Sequence, residues 1–175
     1  MLNTNDCIDE TLDHRHKVQQ CARVLEYELC DRLKVHDESK LETPEVEILT
    51  KVTSQLKALT YGSDEYKDQL KRLKPFTDHH YKHNRHHPEH FENGVDGMNL
   101  VDLLEMLCDW FAATKRHADG DIHKSIIHNA KRFNLDPQLV NILTNTVDDL
   151  DLDKPSVPDK LVDKCIIKAI ESDEA

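Results

Sequence analysis

Met98–Ala113 reads MNLVDLLEMLCDWFAA, and this stretch decides the fold. Asn99 is placed to cap a helix, and Asp102, its third residue, resembles a capping-box acid shortened by one methylene. From Leu100 to about His117 the helix is apolar on most sides, through Leu103, Leu104, Met106, Leu107, Trp110 and Phe111. It is expected to be the central core helix. Glu105 and Asp109 interrupt it; four residues apart, they share one face. A carboxylate does not stay buried unpaired, because desolvation costs too much. Either basic side chains and a solvated stripe with Asp102 relieve them, or a metal ion takes the charge, directly or through an oriented histidine.

Immediately upstream lies His79–Glu92, HHYKHNRHHPEHFE, which holds six of the chain's twelve histidines within twelve positions. If His79–His86 is helical, His79, His83 and His86 fall near one face, with His80 and His87 on another. Pro88 pushes His87 towards extended geometry, so helix is not expected to continue through that pair. The histidines not acting as ligands can stack on Tyr81 and Phe91 or bond Glu89 and Glu92. Asn93-Gly94 and Asp96-Gly97 read as turns.

Further upstream, apolar residues recur at Leu12, Val18, Leu25, Leu29 and Leu33, a long amphipathic helix that carries His14 and leads to His36-Asp37. Imidazole with a carboxylate suits borderline divalent ions: Mn²⁺, Zn²⁺, Fe²⁺, Co²⁺ or Ni²⁺. Along one straight helix, His14 and His36 stand roughly 33 Å apart, so sharing an ion requires the chain to bend. Lys40 can hold an anionic oxygen or pair with Glu42. Thr43-Pro44 opens a helix that ends at Tyr61-Gly62, and Ser63 opens another that Pro75 breaks. Asp121 and Asp136-Pro137 start two more; Asp148–Pro158 reads as an acidic loop before a closing helix from Asp159 to about Ser172. No strand alternation is sustained. The expectation is an all-α chain, residues 1–175 as a single globular domain of seven or eight helices.

With 38% hydrophobic and 33% charged residues, the chain can bury a real core and is not of the disordered class. A formal charge of −11 disfavours non-specific binding to duplex nucleic acid and repels anionic substrates unless cations reverse the local potential. Five cysteines form no CxxC pair, and three occupy apolar helical positions suited to buried thiols. The start, MLNTNDCIDE, lacks the bases and apolar run of a signal peptide, and no segment is long enough to span a membrane. A cytoplasmic protein is expected.

The order His14, His36-Asp37, several histidines, then Asp109 resembles the His-Asp (HD-domain) metal-dependent phosphohydrolase superfamily. That resemblance implies an all-helical fold and one or two divalent ions. It implies His14, His36, Asp37 and Asp109 as ligands of the first, and His83 with His86 or His87 as candidates for the second; of these we take His87 as the ligand. Lys40 stands where some nucleotidase members carry a catalytic acid. HDESKLETPE, HHYKHNRHHPEHFENG and MNLVDLLEMLCDWFAATKR, with GDIHKSI and NILTNT, also resemble a small family of uncharacterised phage and bacterial proteins, over the chain up to about Asp148. The implied function is hydrolysis of a small phosphorylated substrate, nucleotides being the first guess, by a metal-activated water. Lys40 would neutralise phosphate charge, His80 or His86 would protonate the leaving group, and Glu105 completes the catalytic set. Two other readings stand beside it: iron and dioxygen chemistry on the same fold, and a non-catalytic helical metal-binding or interaction protein.

Overall fold

The computed structural model describes residues 4–56, 71–116 and 120–152. They form six α-helices: α1 (Thr4–Lys34), α2 (Glu45–Leu56), α3 (Lys74–His83), α4 (Leu100–Thr114), α5 (Ile122–Phe133) and α6 (Pro137–Asp149). Single 3-10 turns occur at Glu38–Leu41, Pro88–His90 and Gly94–Gly97, and there is no strand among the described residues. The described residues are all-α as expected, and they hold six helices rather than the seven or eight expected. The helices expected from Ser63 and from Asp159 lie outside the described residues. The histidine segment stays helical only for α3; Asn84 then turns extended and Pro88 holds His87 extended at φ −99° and ψ 127°. At the other end, α6 takes in Asp148 and Asp149, the first residues of the expected acidic loop.

Contacts divide the chain into two compact units: α1 belongs to one, and Val35–Val157 form the other. Helix α1 runs unbroken for 31 residues and buries none of them. Its apolar positions Leu12, Val18, Leu25 and Leu33 are exposed. The cysteines differ from expectation as well: Cys7, Cys21 and Cys108 are exposed free thiols and Cys30 is half-buried.

In the second unit the core forms where α4, α5 and α6 meet. Met106, Leu107 and Trp110 of α4 pack with Ile122 and Ile126 of α5 and Leu143 and Val147 of α6. Removing each such side chain from water contributes about 1.5–3 kcal/mol. The ring of Trp110 stacks parallel to Phe133 with centroids 6.4 Å apart. All three helices start with the caps their sequences specify. Asn99 and Asp102 form the reciprocal capping box of α4, Asp121 accepts from the His123 and Lys124 amides, and Asp136 accepts from the Gln138 amide. Helix α4 is therefore a fixed beam, apolar on one side, with Glu105 and Asp109 on another.

Candidate metal centre

The His36-Asp37 doublet is aimed by its backbone. Helix α1 ends at Lys34, and Asp37 adopts left-handed φ 59° and ψ 14°. For a residue other than glycine this costs about 1–2 kcal/mol, and aspartate is among the residues that tolerate it best. The reversal turns both consecutive side chains towards one cluster. Asp37 also starts the turn in which the Lys40 amide donates to the Asp37 carbonyl at 2.8 Å. That turn returns the Lys40 ammonium to Asp37 Oδ2 as an ion pair.

Two buried glutamates set the imidazoles. Glu45, fully buried in the first turn of α2, accepts from His79 Nδ1 at 2.8 Å and from His80 Nδ1 at 2.9 Å. Glu105 on α4 is 4% exposed; its Oε1 accepts from His36 Nδ1 at 2.9 Å and lies 3.2 Å from His86 Nδ1. A proton fixed on Nδ1 leaves the Nε2 lone pair free, the outer-partner arrangement common to metal-ligating histidines. Asn84 steadies His80 by donating to its backbone carbonyl at 2.8 Å and to Ser39 Oγ at 2.7 Å. Arg85 locks the loop to α4 through a fork on buried Asp102, both arms 3.1 Å long.

The Nε2 atoms and carboxylates converge. Asp37 Oδ1 lies 3.3 Å from His80 Nε2 and 3.6 Å from His86 Nε2, while His80 Nε2 and His87 Nε2 are 2.9 Å apart. On the other side of Asp37, His36 Nε2 is 3.5 Å from Asp37 Oδ2 and 3.8 Å from Asp109 Oδ1. Donors about 2.0–2.2 Å from one ion stand roughly 3.0–3.5 Å from one another, so these separations suit a divalent cation. Asp37, His80, His86 and His87 form a group of four within reach of one ion; His36, Asp37 and Asp109 form a group of three. The decisive atoms are Asp37 Oδ1 and His86 Nε2, both buried and both without a hydrogen-bond partner. A carboxylate oxygen and an imidazole nitrogen left so are costly unless a cation satisfies them. The buried cluster is thus consistent in geometry with a metal-binding site of nitrogen and oxygen donors.

Electrostatics divide the cluster. The carboxylates of Asp109 and Glu105 push His36 up to about 9, against the opposing effect of burial. Burial pushes His87 down to about 3, helped by the charges of His86 and His80. For Asp37, burial works upwards, but the nearby His80 imidazole and the Lys40 ammonium prevail and hold the carboxyl well below the usual range. Asp109 follows the same pattern: burial raises it, the neighbouring His36 imidazole outweighs that, and the net shift is downward.

Of the residues singled out by sequence, the structure brings His36, Asp37, Lys40, His80, His86, His87, Glu105 and Asp109 together. It does not bring in His83, and His14 belongs to the other compact unit. His14 is exposed on α1, with about 30 Å of unbroken helix between it and Lys34. His83 ends α3 exposed, stacked on His79 with centroids 4.1 Å apart and donating to the His79 carbonyl at 2.7 Å. Glu105, taken above as catalytic, is spent on the Nδ1 atoms of His36 and His86. Glu45 was not singled out: an acid just after Thr-Pro reads as an ordinary first-turn residue favoured by the helix dipole. Its only signal is its closeness in sequence to the His-Asp doublet.

No described helix is long and apolar enough to cross a membrane. No curated protein and no solved structure matches the chain. One family does, described as "Family of unknown function (DUF5662)", over residues 3–149. An all-helical chain with a buried histidine–carboxylate cluster that weakly resembles an HD-type metal site, it belongs to the DUF5662 family.

Proposed function

We propose that this chain is a metal-dependent phosphohydrolase acting on a small phosphorylated substrate, with a nucleotide as first candidate, in the cytoplasm of a bacterial cell or a phage-infected host. The observation that carries the reading is the pair of buried, unsatisfied donors, Asp37 Oδ1 and His86 Nε2, facing each other in the cluster. Asp37, His80, His86 and His87 would hold the ion, with Glu45 and Glu105 fixing the imidazoles. A divalent ion bound there supplies Lewis acidity and brings the deprotonation of water into the neutral range.

The chain's own groups then divide the remaining work. His36, pushed up to about 9, carries a proton at neutral pH and holds it at Nε2 beside Asp109. It is a better donor to a leaving alkoxide than His80 or His86, whose Nε2 atoms face the ion. His87, pushed down to about 3, stays neutral and keeps its lone pair. Lys40, half-buried at the rim, offers positive charge to a phosphoryl oxygen. His36, Asp37 and Asp109 keep 19–24% of their side-chain surface exposed, so the cluster is open on that side, as a catalytic rather than a closed structural centre requires.

The test is hydrolysis of p-nitrophenyl phosphate, bis-p-nitrophenyl phosphate and a panel of nucleotides by protein loaded with Mn²⁺, Zn²⁺, Fe²⁺, Co²⁺ or Ni²⁺. Phosphate release that is lost in both Asp37→Ala and His36→Gln supports the assignment. Tight metal binding with no turnover of any phosphate ester, in any metal form, would overturn it in favour of a binding protein.

A further inference from the structure

Lys40 has a place in the cluster that its role at the rim does not exhaust. Asp37 presents its two oxygens to opposite sides. Oδ1 faces His80 and His86 and has no hydrogen-bond partner; Oδ2 faces His36 and is taken by the Lys40 ammonium. Both sides are built from metal-ligating residue types, and Asp37 belongs to both groups. Yet the unmet coordination lies on one side only.

On the His36 side each carboxylate already has a basic side chain within ion-pair distance. Lys40 neutralises Asp37 Oδ2, and His36 sits 3.8 Å from Asp109 Oδ1 with its Nδ1 on Glu105. Lys40 is delivered by the 3-10 turn Glu38–Leu41, whose start is fixed by the left-handed Asp37, so its ammonium is held in place by short-range chain geometry. An ammonium is a compact point charge with no lone pair to donate. It fills the position of a cation on a carboxylate oxygen and repels a second cation from that oxygen.

We propose that Lys40 stands in for a second metal ion: the centre takes one divalent ion, on the His80–His86–His87 side of Asp37, and Lys40 keeps the His36–Asp109 side free of metal. This rests on reading the cluster as a metal centre. It deepens that reading by fixing the number of ions and the side of Asp37 that holds them. A chain with the same ligands and an uncharged residue at position 40 would hold two ions bridged by Asp37.

The experiment is metal stoichiometry. Apo protein is titrated with Mn²⁺, followed by calorimetry, by elemental analysis after gel filtration, and by electron paramagnetic resonance. The wild-type chain is expected to bind one Mn²⁺ with the six-line signal of an isolated ion. Lys40→Met, which keeps a long unbranched side chain without the charge, is expected to bind two, with a signal broadened by exchange between neighbouring ions, and Lys40→Met/Asp109→Asn is expected to return to one. Lys40→Gln repeats the test should the methionine variant not fold, and Lys40→Arg should stay at one. Two ions in the wild-type chain, or one ion in both uncharged variants, would overturn the proposal while leaving the metal centre itself intact. No tight binding by the wild-type chain would instead defeat the metal reading, and this proposal with it.

Discussion

The two sides of Asp37 differ in the way that makes the cluster intelligible. One side is nitrogen-rich and buried, with His80 and His86 each 2% exposed, and it contains both unsatisfied atoms. The other is carboxylate-rich and half-open, with its acids and imidazole paired among themselves and with Lys40. Burial without partners is expensive, so the first side is organised for something that arrives from outside. Partial exposure with partners is inexpensive, so the second is stable as it stands and free to meet a solute.

The largest effect is expected where the sides join. Asp37→Ala should abolish stoichiometric metal binding while the far-ultraviolet circular dichroism remains helical; wild-type stoichiometry in that variant would remove the contrast altogether. His86→Ala, on the buried side, should weaken binding by at least about 100-fold, more than the loss of an outer partner. Glu45→Gln and Glu105→Gln, which disturb the imidazoles at one remove, should each weaken it by about 10- to 100-fold, as read by calorimetry. Asp109→Asn, on the half-open side, should change metal affinity by no more than about fivefold, the scale of a partly exposed charge, while lowering turnover.

The smallest effect concerns pH and metal-free protein held in chelator. His36 is raised to about 9, so its stabilising contribution is complete below the ordinary histidine value and lost as pH rises through about 9. His87 is lowered to about 3, so its neutral form favours folding above the ordinary value, and that advantage is lost as pH falls towards 3. Thermal melts from pH 4 to 10 should therefore show stability declining at both ends. Within that profile, His36→Gln should flatten only the alkaline limb and His87→Gln only the acid one.

Helix α4 and helix α1 show what the sequence made legible. In α4 the apolar residues, the capping pair and the two acids agree, and the structure buries Met106, Leu107 and Trp110, forms the capping box and turns Glu105 and Asp109 to the cluster. In α1 the apolar recurrence is as regular, yet no residue is buried, since periodicity states which face is apolar and not whether anything covers it. Order in the chain linked His36, Asp37 and Asp109 because short stretches carry them. Glu45 escaped notice because its role depends on α2 lying against α3, a tertiary fact with no local mark. His14 and His83 drew notice as histidines in a suggestive order, but one belongs to a separate compact unit and a solvent-facing end of α3 isolates the other. The left-handed Asp37 was equally invisible: nothing in the doublet distinguishes it from an aspartate in an ordinary turn.

The span of the cluster has a consequence for how the chain reaches its native state. Asp37 and His87 would grip the same ion across about fifty residues of intervening chain, and a covalent cross-link of that reach removes roughly 4 kcal/mol of disorder from the unfolded ensemble. A bound cation acts as a reversible staple of the same kind, fastened only once α2 and α3 have brought Glu45 under His80. Withdrawing it should loosen the doublet and the histidine loop first, and leave the packed helices carrying Trp110, Ile126 and Val147 to melt as a separate, later step.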